Sequence, residues 1–207
     1  LGENARRAIE KAEVVFGGKR HLELASAAIT GEARAWPVPF DASMAEVVAL
    51  AGRSICVLAS GDPFFFGVGV TLLKQIDPAE VVSFPAPSAF SFAASRMGWA
   101  LQNVECISLH GRSIDLIRPH LHPGARIIAL TSDANAPALI ASLLTDAGFG
   151  RSAFTLLEAL GGTRERLRQT QAENFKLADI DPLNVIAIDV IADDEARILP
   201  FSSGRDD

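Results

Sequence analysis

Several short segments of this 207-residue chain bring groups able to do chemistry to places where the backbone must turn sharply. The clearest is Ser60-Gly-Asp-Pro-Phe-Phe-Phe-Gly67. Gly61 permits a turn that a side chain forbids, Asp62 is a natural N-cap, and Pro63 suits the first helical position. The segment follows an apolar run, residues 55–59, and the carboxyl ends of strands are where open α/β sheets bind ligands. The same residues also make an ordinary strand-to-helix turn, and spacing alone does not separate the two readings.

Three further segments share this grammar. In Phe84-Pro-Ala-Pro-Ser-Ala89, Ser88 is a natural cap, and the small residues Ala89, Ala93 and Ala94 let a backbone or flat ligand approach. Without other evidence an ordinary capped helix is the better explanation. Glu158-Ala-Leu-Gly-Gly-Thr163 runs into Arg164-Glu-Arg166, and a glycine pair at a strand end is usually a turn and nothing more. Ser108-Leu-His-Gly-Arg112 sets an imidazole and a guanidinium beside a glycine. An imidazole can serve as an acid or base and a guanidinium can grip a carboxylate with two hydrogen bonds, although such loop residues are more commonly just solvated. His120 and His122 have no acidic or thiol ligand beside them, so no metal site is expected.

The elements that must position these groups alternate between helical and strand-like patterns, which predicts an α/β fold. Helices are expected over residues 4–12, 17–28, 42–51, 64–75, 88–97 and 136–147. Strands are expected over 14–16, 33–36, 55–59, 81–84, 105–108, 126–130, 154–158 and 185–191. The breaker cluster His120-Leu-His-Pro-Gly124 suggests a division into an N-terminal α/β domain, 1–122, and a C-terminal one, 123–192, followed by a polar linker or tail, 193–207. The first predicted element is a helix, whereas an α/β unit normally opens with a strand, so a strand is expected to be missing ahead of Leu1.

Composition narrows the function classes. Hydrophobic residues make up 49% and charged residues 21%, enough apolar chain for a real core. The formal charge of −6 argues against a surface built for nucleic-acid phosphates. No apolar run is long enough for a membrane span and no secretion signal is apparent, so a cytoplasmic protein is expected. Cys56 and Cys106 lie fifty positions apart in apolar runs and read as buried thiols.

The order of these segments resembles the tetrapyrrole (corrin/porphyrin) methylase family over nearly the whole chain, from Asn4 to about Ile191. The resemblance rests on Gly61-Asp-Pro-Phe-Phe-Phe-Gly67, the Pro-x-x-Ser-Ala stretch ending at Ala89, the strand around Leu130, the Leu160-Gly161 turn and Pro182-Leu-Asn184. It implies a two-domain architecture with the donor site in the interdomain cleft and S-adenosylmethionine as methyl donor. Ser60, Gly61, Asp62, Phe65, Ser88, Ala89, Leu130, Leu160, Gly161 and Asn184 would form the cofactor-binding set. Ser108-Leu-His-Gly-Arg112 and Glu158-Ala-Leu-Gly-Gly-Thr-Arg-Glu165 are similar to the branch that methylates ring carbon 5 of a precorrin in cobalamin biosynthesis.

On that resemblance His110 and Arg112 are the catalytic, substrate-side residues, with Arg164 gathered near the same cleft for the carboxylates of a precorrin. It also implies a homodimer, and in two-domain members a C-terminal decarboxylase/methylase domain, to which the tail would lead. The family's opening strand and Gly-rich loop are not found in the sequence. Two other readings stay open. One is a diphthine synthase-like member of the superfamily with a different acceptor, and the other a non-catalytic nucleotide-binding α/β module.

Overall fold

The computed structural model describes residues 1–37 and 43–200. The chain forms two compact units, 1–88 and 89–207. The expected division at 122/123 is therefore not where compactness divides. The reason is strand pairing: β4 (Glu105–Ser108) lies parallel to β5 (Arg126–Leu130), with Ser108 opposite Leu130, which ties residues before the breaker cluster into the later sheet.

In the first unit, β1 (Val14–Gly17) lies between β2 (Glu32–Ala35) and β3 (Ile55–Val57), all parallel. β1 is the fully buried strand, whereas β3, at the end of the order, is only partly covered. Strand side chains alternate between faces, and each face meets helices. Val15 packs with Ile9 of α1 (Glu3–Lys11) and with Leu22 and Ala25 of α2 (Lys19–Ala25). Val14 and Phe16 pack with Met44 and Val47 of α3 (Ser43–Val48) and Leu72 of α4 (Val68–Leu72). The expected start of α3 at residue 42 lies outside the described residues.

Two expectations fail in this unit. The helix predicted from residue 64 begins only after Gly67, because Phe66 has a left-handed φ of 56° and the chain folds back on itself. Gly67 allows that return, since a Cβ there would sit 2.5 Å from the Pro63 carbonyl. No strand forms at 81–84, where Val82 is 76% exposed. Pro78 before it and Pro85 and Pro87 after it remove the N–H donors that a ladder needs.

In the second unit the order is β4-β5-β8-β6-β7, with β6 at Ala153–Glu158, β7 at Arg166–Gln171 and β8 at Asn184–Asp189. β8 runs antiparallel to both β5 and β6. α5 (Ala89–Met97) covers one face, packing Phe90, Ala93 and Ala94 on Ile128, Leu157 and Ala187. α6 (Ala136–Asp146) covers the other, packing Ile140 and Leu144 with Ile127, Phe154 and Ile186. β7 is absent from the predicted strands because its sequence, Arg-Leu-Arg-Gln-Thr-Gln, is almost wholly polar, as suits the end of a sheet.

Candidate active site

Parallel pairing of β1 and β3 sets their carboxyl ends side by side, with Phe16 opposite Val57. A Cβ on Gly17 would lie 3.2 Å from Leu58 Cβ, so the absent side chain lets the two exits approach closely. The approach brings His21, near the start of α2, to Ser60: Nε2 and Oγ are 2.6 Å apart. Partial burial, and secondarily the charge of Arg20, hold the His21 imidazole below its ordinary pKa. His21 is a site residue the sequence reading passed over. Its signal was available, because Gly17-Gly18 ends a strand and opens a helix like the other turns.

Gly61 has φ +66°, and a Cβ there would lie 2.6 Å from Ser88 Cα. The Gly61 carbonyl accepts the Ala86 N–H at 3.2 Å, so the first two candidate turns are packed against each other. Asp62 does not cap α4; its Oδ1 accepts the Phe64 N–H at 2.8 Å and closes the turn locally, while α4 is preceded by Gly67. Phe65 lies 5.0 Å from Phe66, ring centre to ring centre, and is 42% exposed. An open cavity of about 510 Å³ borders Ala59, Gly61, Phe84 and Pro85, within the size range of small-molecule sites.

In the second unit, pairing gathers the other candidates at one sheet edge. Ser108 is opposite Leu130, Leu130 opposite Val185, and Asn184 opposite Glu158. Thus the His110 loop, the end of β5, the Leu160-Gly161 turn and the start of β8 share that edge. Leu130, Leu160 and Ala89 pack against the core beneath α5. His110 Nδ1 lies 3.1 Å from the Thr131 carbonyl. A carbonyl only accepts, so Nδ1 carries the hydrogen, and in the neutral ring Nε2 keeps its lone pair. Gly111, with φ +67°, donates its N–H to Ser132 Oγ at 2.9 Å, which fixes the loop. The Arg112 N–H donates to the Leu109 carbonyl at 3.1 Å, and its guanidinium has no hydrogen-bond or ion-pair partner among the described residues.

Asn184 is 5% exposed and its amide is committed inside the protein. Its Nδ2 donates to the carbonyls of Asp133 (3.0 Å) and Asp181 (2.9 Å), and its Oδ1 lies 2.6 Å from Thr131 Oγ1. A ligand can therefore meet Asn184 only through its backbone and shape. The Gly161 N–H is likewise taken: it donates to Glu165 Oε2 at 2.7 Å, and Glu165 is paired with Arg96. Arg96, foremost, then the Gly161 N–H, holds the Glu165 carboxyl below its usual range.

Arg164 does not join His110 and Arg112 as a free cation, because it is ion-paired to Asp181. Arg166 and Arg168, two positions apart on β7, share a face and both bond Glu158, which is 1% exposed. Burial works to raise the Glu158 pKa. Its bonds to Arg166, the Asp181 N–H and Arg168 outweigh burial and hold it low. The basic stretch 164–168 is thus mainly a device that ties β7 and the 179–181 loop to the sheet.

The architecture is that of a two-unit α/β protein whose glycine-bearing strand exits carry the exposed polar groups, the arrangement of a ligand-handling enzyme fold. Residues 1–176 match the family described as Tetrapyrrole (Corrin/Porphyrin) Methylases, and this chain belongs to that family. The chain is 57% identical over 207 residues to the precorrin-6Y C(5,15)-methyltransferase [decarboxylating] of Sinorhizobium sp, covering all of this chain and 50% of that protein. It is 31% identical over 164 residues to the cobalt-precorrin-7 C(5)-methyltransferase of Salmonella typhimurium, 79% of this chain and 80% of that one. The chain thus spans about half the length of the C(5,15) relatives it matches. Among solved structures, uroporphyrin-III C-methyl transferase of Thermus thermophilus, complexed with S-adenosyl homocysteine, has the same fold. Its TM-score is 0.73 at 19% identity, over 91% of this chain and 90% of that one.

Proposed function

We propose that this chain transfers a methyl group from S-adenosylmethionine to ring carbon 5 of a precorrin, in cobalamin biosynthesis. One observation carries the choice of carbon. The same sequence aligns with half of a C(5,15) enzyme and with four-fifths of a C(5) enzyme, and carbon 5 is what those two activities share. The donor is supported by the family and by the S-adenosyl homocysteine complex of the Thermus relative.

The donor-binding set on this reading is Ser60, Gly61, Asp62, Phe65, Ser88, Ala89, Leu130, Leu160, Gly161 and Asn184. The turn at Gly61 and the cavity beside it have room for a nucleoside. Asp62 holds the turn through the Phe64 N–H, and an aromatic face such as Phe65 favours a sulfonium cation. The chemistry the donor supplies is an activated methyl group, so the protein's share is chiefly alignment of that methyl with the ring carbon. Arg112, without an internal partner, grips an acceptor carboxylate, and His110 offers Nε2 as an acid–base group toward the acceptor. The protein works in the cytoplasm, as a homodimer, and in its full-length form carries a further decarboxylase/methylase domain.

The test uses full-length protein, a donor carrying a 13C methyl group and a metal-free or cobalt-containing precorrin. Carbon NMR should place the new methyl at carbon 5, and calorimetry should show S-adenosyl homocysteine binding that weakens in Asp62→Ala. A methyl found elsewhere on the ring, or no uptake of that nucleoside, would overturn the reading.

A further inference from the structure

Methylation of an unsaturated ring carbon leaves the ring with one extra positive charge until a proton departs. The first unit holds a pair of side chains suited to take that proton, one of them on the proposed donor turn and the other without an assigned role. His21 Nε2 and Ser60 Oγ are 2.6 Å apart although 39 residues separate them. Both stand where parallel strands end, His21 after β1 and Ser60 after β3. The backbone around the pair is closely packed on both sides. Gly17 lets the β1 exit close on Leu58, and Gly61, next in sequence to Ser60, is packed on Ser88.

We infer that Ser60 and His21 form a proton relay for the methyl transfer, with Ser60 meeting the acceptor and His21 positioning its hydroxyl and holding the proton. The inference rests on the function proposed above, in which Ser60 belongs to the donor turn. The relay requires the donor methyl to face the Ser60 hydroxyl, since the reacting carbon must come within about 3–3.5 Å of that methyl.

The step balances. The new carbon–carbon bond forms as the sulfur–methyl bond breaks, and that bonding pair stays on sulfur as a neutral thioether. The ring then carries the positive charge. Its proton passes to Ser60 Oγ while the Ser60 hydroxyl proton passes to His21 Nε2, which leaves a neutral methylated ring and an imidazolium that solvent later discharges.

The surroundings suit a base that stays empty until used. β1, beneath α2, has no titratable side chain, and on β2 Glu32 and Arg34 are paired with each other. From the β3 turn, the Asp62 carboxylate is engaged with the Phe64 N–H. From α2 itself the charge that acts on the imidazole is that of Arg20, which together with burial keeps it neutral near pH 7. A weak base suffices, since a proton on an alkylated cationic ring is strongly acidic.

The test compares His21→Gln, His21→Asn, Ser60→Ala, Ser60→Thr and the Ser60→Ala/His21→Gln double variant in full-length protein. Calorimetry with S-adenosyl homocysteine and single-turnover methyl transfer to a precorrin are the readouts. Gln can keep a bond to Ser60 but cannot take a proton. A relay predicts a fall in kcat of about 100-fold in His21→Gln and Ser60→Ala, with donor affinity retained in His21→Gln. Ser60→Thr should recover much of the rate, the double variant should be no slower than either single one, and the acidic limb of the wild-type pH profile should vanish in His21→Gln. An active wild type with His21→Gln and Ser60→Ala at near-normal kcat overturns the relay alone. So does an unchanged acidic limb in His21→Gln. A wild type that binds the nucleoside but methylates no precorrin overturns the proposed function, and the relay with it.

Discussion

Gly61 and Ser88 meet backbone to backbone: any Cβ on Gly61 would stand 2.6 Å from Ser88 Cα. The contact joins the turn after β3 to the segment that leads into α5, and φ at Gly61 is +66°. Both constraints exclude a side chain. Gly61→Ala should therefore destabilise the protein by about 2 kcal/mol or more, from left-handed strain plus the collision. Urea denaturation measures the loss, and calorimetry should show S-adenosyl homocysteine affinity falling with it. Gly52→Ala is the control, since its φ is +87° but nothing lies within 4 Å of its added methyl.

Glu158 gives the second prediction. The carboxylate is buried, yet Arg166, Arg168 and the Asp181 N–H hold its folded pKa below the ordinary value. A lowered folded pKa means that the ionised form favours folding. Its contribution is complete above the unfolded value, near 4.3, declines as pH falls toward the lowered folded value, and is gone below both. Glu158→Ala should cost about 3 kcal/mol at pH 7, because two guanidinium groups lose their shared partner. Denaturation curves at pH 7, 5 and 3 should show the gap between wild type and Glu158→Ala narrowing only in the acid range. A gap that stayed constant would remove the charge argument.

His110 gives the third. With Nδ1–H directed to the Thr131 carbonyl, replacing the ring by alanine removes the exposed Nε2 without touching the bonds that close the Gly111 turn. Methyl transfer should slow by about 100-fold while S-adenosyl homocysteine affinity stays as in wild type. Arg112→Ala should instead raise KM for the precorrin, the mark of a group that binds acceptor carboxylates. Steady-state kinetics separates the two effects.

How far the sequence reveals this molecule depends on the kind of signal each element carries. β1, β4, β5, β6, β8, α1, α5 and α6 have apolar periodicity and appear within a few residues of where the pattern puts them. β7 has no such period, because its inward positions are Arg166 and Arg168, and what they bury is a carboxylate contributed by β6. The 81–84 run misleads in the opposite sense, being apolar but hemmed by prolines. The candidate turns were legible from glycine and capping residues. What those residues bond to was not: Asn184, Gly161 and Arg164 look available in sequence, and only the fold reveals Thr131, Glu165 and Asp181 as their partners. For His21 the Gly17-Gly18 turn is visible in sequence, but its contact with Ser60 across 39 residues leaves no local trace.

The strand order of the second unit bears on how the chain is made. β8 is synthesised after every other strand of its sheet, yet it sits between β5 and β6. Until Asn184–Asp189 leaves the ribosome, the nascent β5 and β6 each expose the edge that β8 later pairs. Such open edges invite pairing with other chains during translation. Chains cut just ahead of Asn184 would accumulate as aggregates, whereas those that retain β8 complete the sheet in one closing move.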